Sequence, residues 1–117
     1  MNSTLISQAI LNLVNNALDA VSSLSDKWVS VDFVEDDDSV YIGVTDSGPG
    51  IPINIRSRIF DPFFTTKSPG KGTGLGLSLS MNIAAHHGGA LRLDTLHKNT
   101  RFVLQLPKQK NLNALKQ

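Results

Sequence analysis

Apolar residues return at helical spacing from residue 4 to residue 24. Leu5, Ile6, Ala9, Ile10, Leu13, Ala17, Val21 and Leu24 share one face. Asn2 or Ser3 suits the cap in front of them. The period then changes to two. Val29, Val31 and Phe33 alternate with polar residues over 28–35, and Val40, Ile42 and Val44 do so over 39–45. These read as two strands joined by the charged turn Glu35-Asp36-Asp37-Asp38. Asp46-Ser47-Gly48-Pro49-Gly50 is a turn, and Pro52 opens an expected short helix over 52–59. A loop rich in Gly, Pro, Thr and Lys covers 61–74. A second long helix is expected over 75–87, stopped by Gly88-Gly89. Strands over 90–95 and 101–106 follow, joined by a turn around Lys98-Asn99, and Pro107 ends the pattern. Residues 108–117 are polar and read as a C-terminal tail.

Blocks of helix and strand in this order predict an α+β, two-layer α/β sandwich. Its helices cover one face of a mixed, mostly antiparallel sheet around one core. The chain's 117 residues suit one domain, and 40% hydrophobic with 18% charged residues suits a packed globule. A net charge of +1 gives no basic field for nucleic acid. The absence of Cys excludes disulfides and thiolate metal sites and agrees with a cytoplasmic setting. No apolar run approaches the ~20 residues of a membrane span, so no direct membrane insertion by this segment is expected. No signal peptide is visible, and the immediate helical opening suggests that something upstream is missing.

Three segments carry candidate chemistry. Residues 70–76 read Gly-Lys-Gly-Thr-Gly-Leu-Gly and lead straight into the apolar positions Leu75, Leu79 and Ile83. Alternating glycines let backbone curl round a ligand, and a helix start supplies free N–H groups and a positive dipole end. A flexible linker is the plain alternative, although linkers seldom run directly into a core helix. The spacing matches neither the P-loop nor the Rossmann fingerprint.

On the first helix, Gln8, Asn12, Asn16 and Asp19 form one polar stripe with Asn15 at its edge. Asn is a mediocre helix former, and a solvent face would normally carry Lys, Glu and Arg. Amide oxygens facing a ligand would suit Mg²⁺; a merely polar surface is the alternative. Asp46 suits a turn whether or not it also accepts from a nucleobase amino group. Phe60, Phe63 and Phe64 read as a small cluster anchoring a lid from which Thr65, Thr66, Lys67 and Lys71 reach phosphates. His86, His87 and His97 have neither metal spacing nor a nucleophile beside them and read as structural or surface residues.

Four blocks occur in order: Asn12-Leu-Val-Asn-Asn16-Ala-Leu-Asp-Ala20, Asp46-Ser-Gly-Pro-Gly-Ile51, Phe60-Asp-Pro-Phe-Phe-Thr-Thr-Lys67 and Gly72-Thr-Gly-Leu-Gly-Leu77. The chain thereby resembles the catalytic ATP-binding domain of bacterial sensor histidine kinases, with the Bergerat fold, over residues 4–107. The phenylalanine block is similar to the nitrogen-regulation type. The resemblance implies a catalytic domain over 1–107, N-terminally truncated, that binds Mg²⁺ and ATP. Asn16 would hold Mg²⁺, and Asn12 would support the phosphate side. Asp46 would bind the adenine amino group, with Gly48 and Gly50 lining the base.

The same resemblance implies a lid over 61–74 with Lys67 on it. Gly72, Thr73, Gly74, Leu75 and Gly76 would form the phosphate-binding run, and Thr100 would lie near the nucleotide. Asn99 stands where the family's late block has Gly, and Asp19 where some relatives have a phosphate-contacting Lys. The implied partners are a dimerisation and histidine-phosphotransfer domain and, downstream, a response regulator. The acceptor His lies outside this chain, so the fragment is expected to be inactive alone, and the resemblance is compatible with a membrane-anchored parent. Hydrolytic switches of this fold carry a Glu where Asn12 stands, and an amide cannot serve as general base. Those switches, an anti-sigma-type serine kinase and a non-catalytic nucleotide-binding module are the alternatives.

Overall fold

The computed structural model describes residues 2–64 and 76–108. Helix α1 runs Ser3–Val21, with the side chain of Asn2 accepting from Leu5 N at 3.1 Å as its cap. It stops three residues short of expectation. Ser22 turns its hydroxyl back onto Asp19 O at 2.8 Å, and such side-chain bonds compete with the helical ladder.

Strands β1 (Val29–Glu35) and β2 (Ser39–Asp46) form the expected hairpin. Asp36 closes its turn by accepting from Asp38 N at 2.9 Å and Ser39 N at 2.7 Å. These backbone bonds hold the Asp36 carboxyl below its ordinary pKa. Helix α2 spans Gly76–His86 and ends as the two glycines require. Gly88 takes φ +75°, and Gly89 N reaches Ala84 O at 2.8 Å. His87 joins the two helices: Nδ1 lies 2.7 Å from Ile83 O while Nε2 accepts from Asn2 N at 3.1 Å. That confirms a structural role.

Strand β3 (Ala90–Leu93) is shorter than expected, because Asp94 accepts from Leu96 N and turns the chain. Strand β4 (Arg101–Pro107) returns beside it. The sheet order is β1-β2-β4-β3, and among the described residues every neighbouring pair is antiparallel, in keeping with the expected mostly antiparallel sheet. The short helix expected over 52–59 is also replaced. Ile55 N bonds Pro52 O, Arg58 N bonds Ile55 O and Asp61 N bonds Arg58 O, a series of single turns. A segment this short nucleates a helix poorly, and its register is set by sinking Ile55 and Ile59 into the core.

Both helices lie on one face of the sheet. Ala9, Leu13 and Ala17 of α1 and Ala84 of α2 meet Ile42 and Val44 of β2, Leu91 of β3, and Phe102, Leu104 and Leu106 of β4. On the far face, Arg101 reaches across β2 to β1. Its guanidinium bonds Asp32 at 2.5 and 3.1 Å and Thr45 Oγ1 at 2.8 Å. It lies over Gly43, where any Cβ would collide with it. Among the described residues, no helix is long and apolar enough to cross a membrane.

Candidate functional site

Strand β2 ends at Asp46, which is only 3% exposed. The turn behind it is fixed by a knot of bonds with the residues entering β4. Asp46 N donates to Thr100 O at 2.9 Å, and Thr100 N donates to Gly48 O at 3.1 Å. Gly50 N donates to Thr100 Oγ1 at 3.0 Å, and Gly48 N donates to Asp46 Oδ1 at 2.7 Å. A Cβ on Gly48 would lie 2.7 Å from that carboxylate oxygen and 3.0 Å from Thr100 Oγ1, so the turn closes only around glycine there. Gly50 has φ +95°, the region open to glycine.

Among the described residues no cation pairs with the carboxylate of Asp46. Burial pushes its pKa above the ordinary value, and the bond from Gly48 N opposes this only in part. Its charge is therefore poorly satisfied by the described residues.

Asp46 faces a cavity of ≈ 850 Å³. Asn12, Asn15, Asn16 and Asp19 of α1 line one wall, and Gly48, Gly50 and Thr100 line a second. Ile51, Pro52, Ile55, Ile59, Phe64 and Phe102 make an apolar wall opposite. Gly76 and Leu77 bring the start of α2 to the same space. Asn12 Nδ2 is buried without a hydrogen-bond partner among the described residues. A buried polar atom left unpaired is costly, and one turned toward a cavity is commonly satisfied by what enters it. The arrangement suits a ligand with a flat, partly apolar group beside Asp46 and polar groups beside α1.

Asn12, Asn16, Asp46, Gly48, Gly50, Gly76 and Thr100 thus converge from four parts of the chain. Gln8, on the same predicted stripe, is exposed and outside the lining. Lys67, Gly72, Thr73, Gly74 and Leu75 lie outside the described residues. The phenylalanine cluster divides. Phe60 packs edge-to-face on Phe102 with centroids 6.1 Å apart, and Phe64 lies under Arg58 at 4.7 Å. Phe63 instead takes φ 67° and points outward, 72% exposed.

Two features escaped the sequence reading. The apolar wall was signalled only by Ile51, Ile55 and Ile59 at spacing four. Asn99 proves to brace the site, since its Nδ2 donates to Gly48 O at 3.1 Å, and no local sequence signal reveals such a contact.

The sequence matches the profile of the "Histidine kinase-, DNA gyrase B-, and HSP90-like ATPase" family over residues 1–110. It is 41% identical over 106 residues to sporulation kinase A of Bacillus subtilis, covering 89% of this chain and 17% of that protein. It is 43% identical over 103 residues to sensor histidine kinase ZraS of Escherichia coli O157:H7, covering 87% of this chain and 22% of that protein. The chain thus spans about a fifth of the length of these curated relatives. The fold superposes on a mycobacterial sensor histidine kinase, MprB, with TM-score 0.78 and 31% identity, over 92% of this chain and 74% of that one. It matches the nucleotide-free catalytic domain of histidine kinase ThkA with TM-score 0.77 and 35% identity, over 92% of this chain and 69% of that one. The antiparallel sheet under two helices, the cavity at its end and these likenesses agree: the chain belongs to the histidine kinase-, DNA gyrase B- and HSP90-like ATPase family.

Proposed function

We propose that this chain is the ATP-binding catalytic domain of a cytoplasmic histidine kinase module. In this reading it holds Mg·ATP and presents the γ-phosphate to a His on a separate dimerisation and phosphotransfer domain, with a response regulator downstream. Residues 1–107 form the catalytic unit and 108–117 a tail. The observation that carries the reading is the convergence, on one cavity of ≈ 850 Å³, of a buried Asp46 that no cation pairs among the described residues and an Asn12 Nδ2 that has no hydrogen-bond partner among them.

The donor set fits the ligand in its parts. Asp46 offers a carboxylate to an exocyclic amino group, with Gly48 and Gly50 leaving room for a ring. The apolar wall around Ile51 and Ile59 suits the base. Asn16 supplies one neutral oxygen for Mg²⁺, and Asn12 supports the phosphate side. Among the described residues no cluster of His, Asp or Glu could hold a metal alone, so the phosphates and water must supply most of its ligands. Thr100 keeps Gly50 N in place, and Gly76 aims a helix start at the phosphates. Lys67, Gly72, Thr73, Gly74 and Leu75 join the proposal on sequence grounds.

Bound Mg²⁺ would neutralise phosphate charge as the phosphoryl group leaves. In this reading the chain's own residues bind and orient the nucleotide. Asn12 stands where hydrolysis would need a base, so intrinsic ATPase activity is expected to be negligible. Calorimetric titration of Mg·ATP into the chain and into Asp46→Ala tests the reading. One-to-one binding that the substitution abolishes supports it. A folded parent chain that binds no nucleotide overturns it.

A further inference from the structure

Helices α1 and α2 pack side by side and are tied at two levels by side-chain bonds. At one level His87 Nε2 accepts from Asn2 N at 3.1 Å. At the other, Ser80 Oγ donates to Ala9 O at 3.1 Å. Seven residues separate Asn2 from Ala9, and seven separate His87 from Ser80. The helices therefore run antiparallel and advance in step. Four residues further along each, Gly76 comes level with Leu13, next to Asn12. Gly76 and Asn12 both line the cavity. The Ser80 bond thus lies about 6 Å along α2 from Gly76 and about 4.5 Å along α1 from Asn12.

Ser80 is 0% exposed, in a core where Ala9 and Ala84 are also buried. Small side chains let packed helices come close, which brings a short hydroxyl within reach of the opposite backbone. A Ser inside a helix commonly turns its one proton to the carbonyl four residues back. For Ser80 that would be Gly76 O. The proton goes instead to Ala9 O, which is also the helical acceptor for Leu13 N. Removing the hydroxyl therefore orphans no carbonyl. What the bond fixes is the spacing of the two helices at that level. The Asp46 end of the cavity has a separate support. Asp46, Gly48, Gly50 and Thr100 are held to one another by bonds between the end of β2 and the start of β4, and none of those bonds involves a helix residue.

We propose that Ser80 is a positioning residue of the nucleotide site. Its hydroxyl sets how far the start of α2 stands from the wall carrying Asn12 and Asn16. It thereby tunes affinity for the phosphate end of the ligand and leaves the base end alone. The proposal rests on the nucleotide reading and adds to it that the two ends of the cavity are supported independently.

Ser80→Ala in the full chain tests this, with two ligands as probes. Adenosine reports on the base end alone, by NMR shift titration, and Mg·ATP reports on both ends, by calorimetry. Mg·ATP affinity is expected to fall about fivefold and adenosine affinity to stay within about twofold of the parent. Ser80→Cys keeps a weak donor and should lie between Ser and Ala. It also carries the same comparison should Ser80→Ala fail to fold. If the parent binds both ligands, equal weakening of the two, or an unchanged Mg·ATP affinity, overturns the role of Ser80 and leaves the nucleotide reading standing. A Cys variant weaker than the Ala variant overturns it as well, since side-chain size and not the proton would then matter. A folded parent chain that binds neither ligand overturns the nucleotide reading and the role of Ser80 with it.

Discussion

Two aspartates on this sheet are pushed in opposite directions. Asp32, on the far face, accepts two bonds from Arg101, whose hydrogen bonds hold its carboxyl below the ordinary pKa. Asp46, at the strand end, is buried with no cation beside it among the described residues, and that burial raises its pKa. Thr100 and Arg101 are consecutive, yet one supports the site while the other staples the far face. The first carboxylate is satisfied within the fold, whereas the second is held ready at some cost in stability. A charge that a protein buries without satisfying marks the place where something else must come.

Asp46→Asn sharpens this contrast most. The amide oxygen can still accept from Gly48 N, but an NH₂ group then meets the ligand's own amino group. Nucleotide affinity should fall on the order of 100-fold by calorimetry, equivalent to the loss of one charge-assisted bond. Thermal stability at neutral pH should hold or rise, because a buried charge has gone. A large drop in melting temperature would make Asp46 a structural residue like Asp32.

Arg101→Met is the converse experiment. It removes the staple from β1, β2 and β4 and should cost about 1–2 kcal/mol in a denaturant titration, limited because the Asp32 side chain is 41% exposed. Nucleotide affinity should stay within about twofold of the parent, since Arg101 lies on the face away from the cavity. Loss of binding without loss of stability would break the comparison.

The pH dependence separates the two groups by sign. Asp32 has a lowered folded pKa, so its contribution is present above the ordinary value of 3.8 and is lost as pH falls through the folded value. Asp46 has a raised folded pKa. Its burial penalty is absent below 3.8 and complete once pH has risen through the folded value. The stability gained by Asp46→Asn should therefore grow as pH rises through that window, while the stability lost by Asp32→Asn should shrink as pH falls. Denaturant midpoints at several acidic pH values read both trends. Parallel trends for the two variants would contradict the assignment.

Much of this was legible in the chain, and the gaps have physical causes. The apolar period located α1, both hairpin strands and α2 to within a few residues, because burial on one face enforces it. The end of β3 was missed, since Asp94 stops it with a side-chain bond rather than a Gly or Pro. The segment 52–59 misled because apolar residues at spacing four suit a helix, but its register answers to the core through Ile59. At the site, Asn12 and Asn16 were legible as polar residues in the wrong company for plain surface, whereas Asp46 read equally well as a plain turn residue. Their convergence with Thr100 was suggested only by resemblance, because residues 50 or more apart meet through the sheet register.

Asn99 gives the smallest and most particular test. It stands where the family's late block has Gly. In the fold its amide donates to Gly48 O, the carbonyl that also accepts from Thr100 N. Asn99→Gly should therefore loosen the turn without removing any cavity-lining group. Affinity should fall about threefold, roughly 0.6 kcal/mol, as expected for one neutral bond partly replaced by water. Hydrogen exchange should quicken at Gly50 N, which the same turn holds against Thr100 Oγ1. Unchanged affinity with quickened exchange would mean that the turn is already rigid enough for its ligand. Unchanged exchange would mean that Thr100 alone holds it, and that Asn99 merely occupies the space a glycine leaves open.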